Sequence, residues 1–132
     1  MTTAKLYLVT FEYEGTKFFK VGITEKGDVM DRFKYAILKY KLKNFKIHKS
    51  SWFKSKGEAE KAEKQCFADI MKNFPKNNYV DAQGNHYFHN KWLDEKINGI
   101  TEIRVYNGEE YKFAWNFVHN NGVNKYKDLV GS

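Results

Sequence analysis

The fold is decided by the run Phe18-Phe19-Lys20-Val21-Gly22-Ile23-Thr24, which is rich in aromatic and β-branched residues and predicts a strand. Its alternate side chains form two faces, one with Phe19, Val21 and Ile23 and the other with Lys20, Gly22 and Thr24. The run Lys5–Phe11 has the same character, and Glu14-Gly15-Thr16 supplies a turn between the two runs. The sequence therefore predicts a β-hairpin.

A helix follows the hairpin. Gly27-Asp28 opens it, with Asp28 as the N-cap residue and Asp31 as an acid in the first turn. Apolar residues recur at helical spacing and predict a buried stripe of Val29, Phe33, Ala36, Ile37 and Tyr40. Arg32 lies at the margin of this stripe.

A third strand and a second helix come next. The tract Asn44–Phe53 begins with clean alternation and predicts a strand. Ser55, with Glu58 three residues later, is a capping-box pattern, so we expect a helix from near Ser55 to about Asn73, before Pro75. Its apolar stripe contains Ala59, Ala62, Cys66, Phe67, Ile70, Met71 and Phe74, and Glu63 falls inside that stripe.

The remainder predicts an extension that packs on the same domain. A polar loop follows Pro75, and residues 90–98 suit a short helix. The pair Asn107-Gly108 is typical of a tight hairpin turn, so we expect strands at 102–106 and 111–118 and a frayed tail after Gly122. The predicted fold class is α/β: a small three-stranded antiparallel sheet flanked by helices in residues 1–75, with a C-terminal short helix and β-hairpin in residues 76–132.

Composition limits the protein to a few classes. A chain of 132 residues suits one domain. The 23 Lys and Arg exceed the 16 Asp and Glu and leave a formal charge of +7, which favours polyanions but also serves solubility alone. We expect a cytoplasmic protein without membrane contact. The reasons are its single cysteine, the absence of a signal-peptide pattern and the absence of an apolar run long enough to cross a membrane.

The predicted elements follow the order strand, strand, helix, strand, helix. With the characteristic residues that these elements carry, the chain resembles the GIY-YIG nuclease superfamily, specifically its small phage-associated branch. The resemblance covers roughly the first 75 residues and rests on the run Phe19–Thr24, on Arg32-Phe33 and on Glu63. Leu6-Tyr7 stands at the end of the family's first tripeptide, and Lys20-Val21-Gly22 stands at the second.

The resemblance implies hydrolysis of a DNA phosphodiester with one Mg²⁺ or Mn²⁺ and no small-molecule cofactor. Glu63 then corresponds to the metal ligand and Arg32 to a phosphate ligand, while Tyr7 or Tyr35, with Lys20, would assist the activation of water. Such roles suit these side chains, because a guanidinium fork stabilises phosphoryl oxygens and a carboxylate binds a hard cation. We also expect Gly22 to let the substrate backbone approach the sheet.

The sequence departs from the family pattern at two positions, since Lys5 replaces the first glycine and Lys20 the second tyrosine. A nucleic-acid-binding protein with weakened or lost catalysis therefore remains an alternative, as does an RNA-directed nuclease or toxin-like effector. Glu60 competes with Glu63 for the metal. A zinc site at His86 and His89 has less support, and Cys66 suits packing better than catalysis.

Two further expectations concern partners. The lysine run of Lys39, Lys41 and Lys43, which continues through Lys46 and Lys49, is the best candidate for contact with a DNA backbone. In the predicted C-terminal hairpin, Tyr111, Phe113, Trp115 and Phe117 share one face, which either covers the domain's own core or forms a homodimer.

Overall fold

The predicted hairpin forms the centre of the sheet in a computed structural model, which describes residues 3–25, 27–74, 103–126 and 128. Strand β1 (Ala4–Tyr13) pairs antiparallel with β2 (Thr16–Thr24), and Tyr7 lies opposite Gly22. On its other side β1 pairs antiparallel with β3 (Lys43–Phe53). A fourth strand, β4 (Ile103–Val105), pairs with Phe18–Lys20 of β2. The order is β3-β1-β2-β4, so the described sheet has four strands rather than the three that we predicted.

The two helices predicted from sequence periodicity are confirmed. Helix α1 (Val29–Tyr40) begins after Asp28, whose carboxylate accepts a hydrogen bond from the Met30 amide at 2.9 Å. Helix α2 (Lys56–Asn73) begins after Ser55, whose hydroxyl accepts from the Glu58 amide at 3.2 Å. Both caps satisfy amide groups that the helix itself leaves unpaired.

The C-terminal hairpin prediction is wrong from Asn107 onward. Residues Gly108–Asn120 form a helix, α3, because the Asn107 side chain accepts hydrogen bonds from the amides of Glu109 and Glu110. Asn107-Gly108 is therefore a helix start and not a tight turn. The tail is also ordered further than expected, since Val123 and Trp52 exchange backbone hydrogen bonds of 2.7 and 3.0 Å.

The helices cover opposite faces of the sheet. Helix α1 packs Val29 and Phe33 against Tyr7 and Val9. Helices α2 and α3 cover the other face, where the core contains Leu6, Leu8, Phe19, Val21, Cys66, Ile70, Ala114 and Val118. We call these the α1 face and the α2/α3 face.

The aromatic residues of α3 join this core. Four of them, Tyr111, Phe113, Trp115 and Phe117, are half-buried against it. They therefore do not form the strand face through which we expected a homodimer to form. The homodimer itself stays a prediction.

Some expectations lie outside the described residues. These are the loop after Pro75, the helix at 90–98, and the positions of His86 and His89. In the part of the chain that the structure describes, no helix is long and apolar enough to cross a membrane.

Candidate functional site

Tyr7, Lys20 and Gly22 lie together on the α1 face. The Lys20 Nζ donates a hydrogen bond to the Tyr7 hydroxyl at 2.9 Å, and both side chains are buried, with 0% of Tyr7 and 2% of Lys20 exposed. The ammonium lies 5.0 Å from the Tyr7 ring centre and 6.0 Å from that of Phe33, which is on α1. A buried cation needs such partners, because taking it out of water is costly.

Gly22 is the residue that makes this pairing sterically feasible. A Cβ on Gly22 would lie 2.5 Å from the Tyr7 hydroxyl and 2.7 Å from Cζ of the same ring, and it would also collide with the Lys20 Nζ. We expected Gly22 to leave room for a substrate backbone. The structure gives a different reason for the glycine, because the side chains of Tyr7 and Lys20 occupy that space.

The exposed side of α1 carries the predicted phosphate ligand. Arg32 and Tyr35 are exposed, and Lys39 follows one turn later, with its Nζ 6.0 Å from the Tyr35 ring centre. Residues three and four apart share a helix face, so these side chains form one stripe. Tyr35 is 64% exposed, which leaves its phenol accessible to a ligand.

The stripe leads to an open cleft at the end of α1. The cleft has a volume of about 530 Å³ and is lined by Glu12, Tyr13, Glu14, Gly15, Lys39, Tyr40, Lys41 and Lys43. The structure thus brings together Lys39, Lys41 and Lys43, three of the five lysines that we predicted to contact a DNA backbone. We call Arg32, Lys39, Lys41 and Lys43 the α1-side basic surface.

Glu63 lies on the α2/α3 face. It borders a cavity of about 10 Å³ with Phe19, Val21, Phe67, Ile70 and Arg104, a space no larger than one water molecule. Since side chains of β2 alternate, Phe19 and Val21 point away from Lys20 and Gly22. Glu60, its competitor, lies 3.9 Å from the Lys56 ammonium, with its side chain 45% exposed.

The five catalytic candidates therefore divide between the two faces of the sheet. Tyr7, Lys20 and the α1 residues are on one side, and Glu63 is on the other. Both groups adjoin β2, which carries Lys20 and Gly22 on one face and borders Glu63 through Phe19 and Val21 on the other. Among the described residues β4 pairs with Phe18–Lys20 of β2, and Gly22 lies two residues beyond this paired stretch.

A single carboxylate, that of Glu63, is the candidate ligand for a magnesium ion shared with substrate. Mg²⁺ is usually bound by one or two carboxylates, with water and substrate phosphate completing its shell. Glu63 supplies one such carboxylate, and no group of three or more His, Cys, Asp or Glu residues with the geometry of a metal site occurs among the described residues.

Cys66 is confirmed as a packing residue. It is fully buried on α2, and burial, together with the carboxylates of Asp69 and Glu63, raises the pKa of its thiol to about 12. The thiolate is the nucleophilic form of cysteine, so this thiol is inert near neutral pH.

Sequence reasoning missed two polar clusters. Arg104 and Glu110, both buried, form an ion pair of 3.0 Å on the α2/α3 face. His48 bonds to the Thr10 hydroxyl at 2.6 Å and to the Tyr111 hydroxyl at 2.9 Å. Neither cluster had a local signal, because each joins residues of different elements whose packing the sequence pattern does not specify.

No family model, no curated protein and no solved structure matches this chain.

Proposed function

We propose that this protein is a metal-dependent DNA endonuclease whose reaction centre lies at β2, beside Gly22. The observation that carries the proposal is the packing of Tyr7, Lys20 and Gly22. Three residues that the family resemblance singles out, on two strands, are in contact, and the glycine is required by the other two. Arg32 is exposed on α1, and Glu63 on α2 adjoins Phe19 and Val21 of β2 from the other side of the sheet.

Each residue has a definite part in this proposal. Arg32 binds the nonbridging oxygens of the scissile phosphate, because its planar fork can donate two parallel hydrogen bonds. Glu63 would hold the divalent cation, which would supply Lewis-acid stabilisation of charge on the phosphate and the leaving oxygen. Tyr35, which is exposed, is better placed than Tyr7 to accept a proton from water, while Lys20 and Tyr7 pack beside Gly22.

A specific observation favours a second candidate, a nucleic-acid-binding protein that does not cleave. Tyr7 and Lys20 stand at the two positions where the family has tyrosines, and both are buried and bonded to each other. Groups in that state do not reach a substrate. The α1-side basic surface would still bind a nucleic-acid backbone, because phosphate contacts need only exposed cations.

Nicking of supercoiled plasmid in the presence of Mg²⁺ tests the proposal. We expect cleavage by the wild-type protein, its loss with EDTA, and its loss in Glu63→Gln with DNA affinity retained. Glu60→Gln is the matched control, since it makes the same change one turn earlier on α2, and it should cleave normally.

The outcomes separate the candidates. DNA binding without cleavage by the wild type would contradict the endonuclease proposal and favour the binding protein. Normal cleavage by Glu63→Gln with loss in Glu60→Gln would transfer the metal site to Glu60. Faster digestion of an RNA substrate than of DNA under the same conditions would reassign the substrate class.

A further inference from the structure

A second basic region lies on the α2/α3 face, away from Arg32. The β1 register places Lys17 opposite Glu12 and Lys46 opposite Thr10, and cross-strand partners share a face. A register shift in the β1–β3 pairing places His48 beside Thr10, to which it bonds. We call Lys17, Lys46, Lys49, His48, Tyr106 and Tyr111 the α3-side basic surface.

The members of this surface form a continuous chain of contacts. The Lys17 Nζ lies 4.1 Å from the ring centre of Tyr106, and the rings of Tyr106 and Tyr111 are 5.5 Å apart. Tyr111 in turn bonds to His48 at 2.9 Å. Lys49 extends the surface along α3, with its Nζ 5.3 Å from the ring centre of Trp115.

Within the described ranges, the ammonium groups of this surface have no carboxylate partner. Within the described residues, Lys17, Lys46 and Lys49 form no salt bridge, whereas Lys34 and Lys56 do. Glu12, opposite Lys17, accepts a hydrogen bond from the Asn44 side chain instead. Aromatic rings hold two of the lysines in place, and a ring attracts a cation without cancelling its charge.

His48 lies within reach of two of these positive charges. Burial lowers the pKa of its imidazole from the ordinary value, and the charges of Lys17 and Lys46 lower it further. Both ammonium groups therefore act on the same ring, and an anion beside it would be attracted by both.

We propose that the α3-side basic surface binds the phosphate groups of a nucleic-acid backbone. A polyanion suits it better than a single anion, because Lys17, Lys46 and Lys49 are spread along the contact between β3 and α3 rather than gathered around one point. Each phosphate neutralised there would release a counterion. The proposal goes beyond the reaction at β2, since it adds a nucleic-acid contact on the opposite face of the sheet and does not depend on cleavage.

His48 provides a direct measurement. Its ring proton signals, assigned by comparison with His48→Gln, would be followed by NMR against pH for the free protein and with a saturating 12-base-pair DNA duplex. We expect the duplex to raise the pKa of His48, because bound phosphates stabilise the imidazolium and offset Lys17 and Lys46. The same titration would be repeated with single-stranded oligothymidine and with inorganic phosphate, each at the same phosphate concentration as the duplex.

Paired variants locate the effect. Lys46→Gln with Lys49→Gln should raise the pKa of His48 in the free protein and reduce the response to DNA, since the double variant lacks one repelling charge and two phosphate ligands. Lys41→Gln with Lys43→Gln, a matched change on the α1 side, should weaken DNA binding but keep the His48 response at saturation. All four lysines are polar residues at or near the surface, so the fold should tolerate both pairs.

Three results would overturn the inference. If DNA binds, as anisotropy of a labelled duplex would show, and the pKa of His48 does not change, the α3-side surface is not a contact and the proposed function is unaffected. If inorganic phosphate raises that pKa as much as the duplex does, the surface is a small-anion site. If neither DNA form binds at all, this inference and the proposed function both fail.

Discussion

The Lys20 ammonium donates a hydrogen bond to the Tyr7 hydroxyl, 2.9 Å away, in the interior between the sheet and α1. In the structure Lys20 is one half of a buried polar pair. The Tyr7 phenol oxygen and the ring faces of Tyr7 and Phe33 stabilise the cation, and Gly22 leaves the necessary space. Lys20 is therefore part of the packing between the sheet and α1 and not a surface residue.

Gly22→Ala should destabilise the protein by about 1–3 kcal/mol, the usual cost of inserting a methyl group into a packed interior. The added Cβ would overlap the Tyr7 phenol and the Lys20 ammonium, and Tyr7 has no exposed side to move into. Gly27→Ala is the control, because a Cβ added there would have no atom within 4 Å. Urea unfolding would measure both, and equal midpoints for the two variants would contradict the packing argument.

The order and ends of the first five elements were predictable from the sequence. Each signal was local, since the Asp28 and Ser55 caps, the aromatic and β-branched content of β1, and the alternation of β2 and β3 are all readable within one element. The partnership of Tyr7, Lys20 and Gly22 was only partly predictable. Alternation places Lys20 and Gly22 on one strand face, but the register that sets Tyr7 opposite Gly22 is a tertiary property.

Two features could not be read in this way. In α3 the fully buried residues are Glu110, Ala114 and Val118, four apart, but the aromatic residues between them alternate as in a strand. The helical stripe was concealed because its first member is a glutamate. The placement of Glu63 was the second feature. It follows from the face of the sheet that α2 covers, and this face depends on the path of the chain and not on the composition of the helix.

Glu110→Ala should cost about 3–5 kcal/mol in the free energy of unfolding, as expected when one partner of a buried ion pair is removed. The Glu110 carboxylate accepts hydrogen bonds from the Arg104 Nε and Nη2 at 3.2 and 3.0 Å, and its loss leaves the guanidinium buried without this counter-charge. Glu109→Ala, the exposed neighbour in the same helical turn, should cost far less. Similar urea midpoints for both variants would show that the pair contributes little.

The stability of the protein should fall as the pH decreases below about 6.5, the ordinary pKa of histidine. The pKa of His48 is lowered in the folded state, so the unfolded chain takes up this proton at a higher pH than the folded protein does. Protonation therefore favours unfolding until the pH is below the folded pKa, where the effect levels off. Urea unfolding from pH 7.5 to 5 measures the trend. His48→Gln should flatten it, and parallel curves for variant and wild type would contradict the assignment to His48.

Affinity for DNA should decrease steeply as the salt concentration rises. The double variant Lys41→Gln, Lys43→Gln should reduce the slope of log affinity against log salt concentration by about 2, because each phosphate that is no longer neutralised contributes close to one unit. Lys34→Gln with Lys56→Gln is the matched control, because those lysines are already paired with Asp31 and with Glu25 and Glu60. Fluorescence anisotropy of a labelled duplex at several salt concentrations gives both slopes. An unchanged slope in the first variant would remove the cleft lysines from the binding surface.

Arg32→Lys should slow DNA cleavage by about a hundredfold, the loss typical of one donor to transition-state charge. The substitution keeps the positive charge on the exposed side of α1 but removes the planar fork that can hold two phosphoryl oxygens. Affinity for uncleaved DNA, measured with Ca²⁺ in place of Mg²⁺, should therefore change little while the nicking rate falls.

Lys34→Arg is the matched control, because it makes the reverse exchange two residues away on the exposed side of α1. It should leave the rate unchanged, because Lys34 is held by Asp31 at 2.7 Å. A near-normal rate for Arg32→Lys would show that Arg32 contributes only charge to DNA binding. A loss of affinity as large as the loss of rate would show that the fork acts in binding rather than in the chemical step.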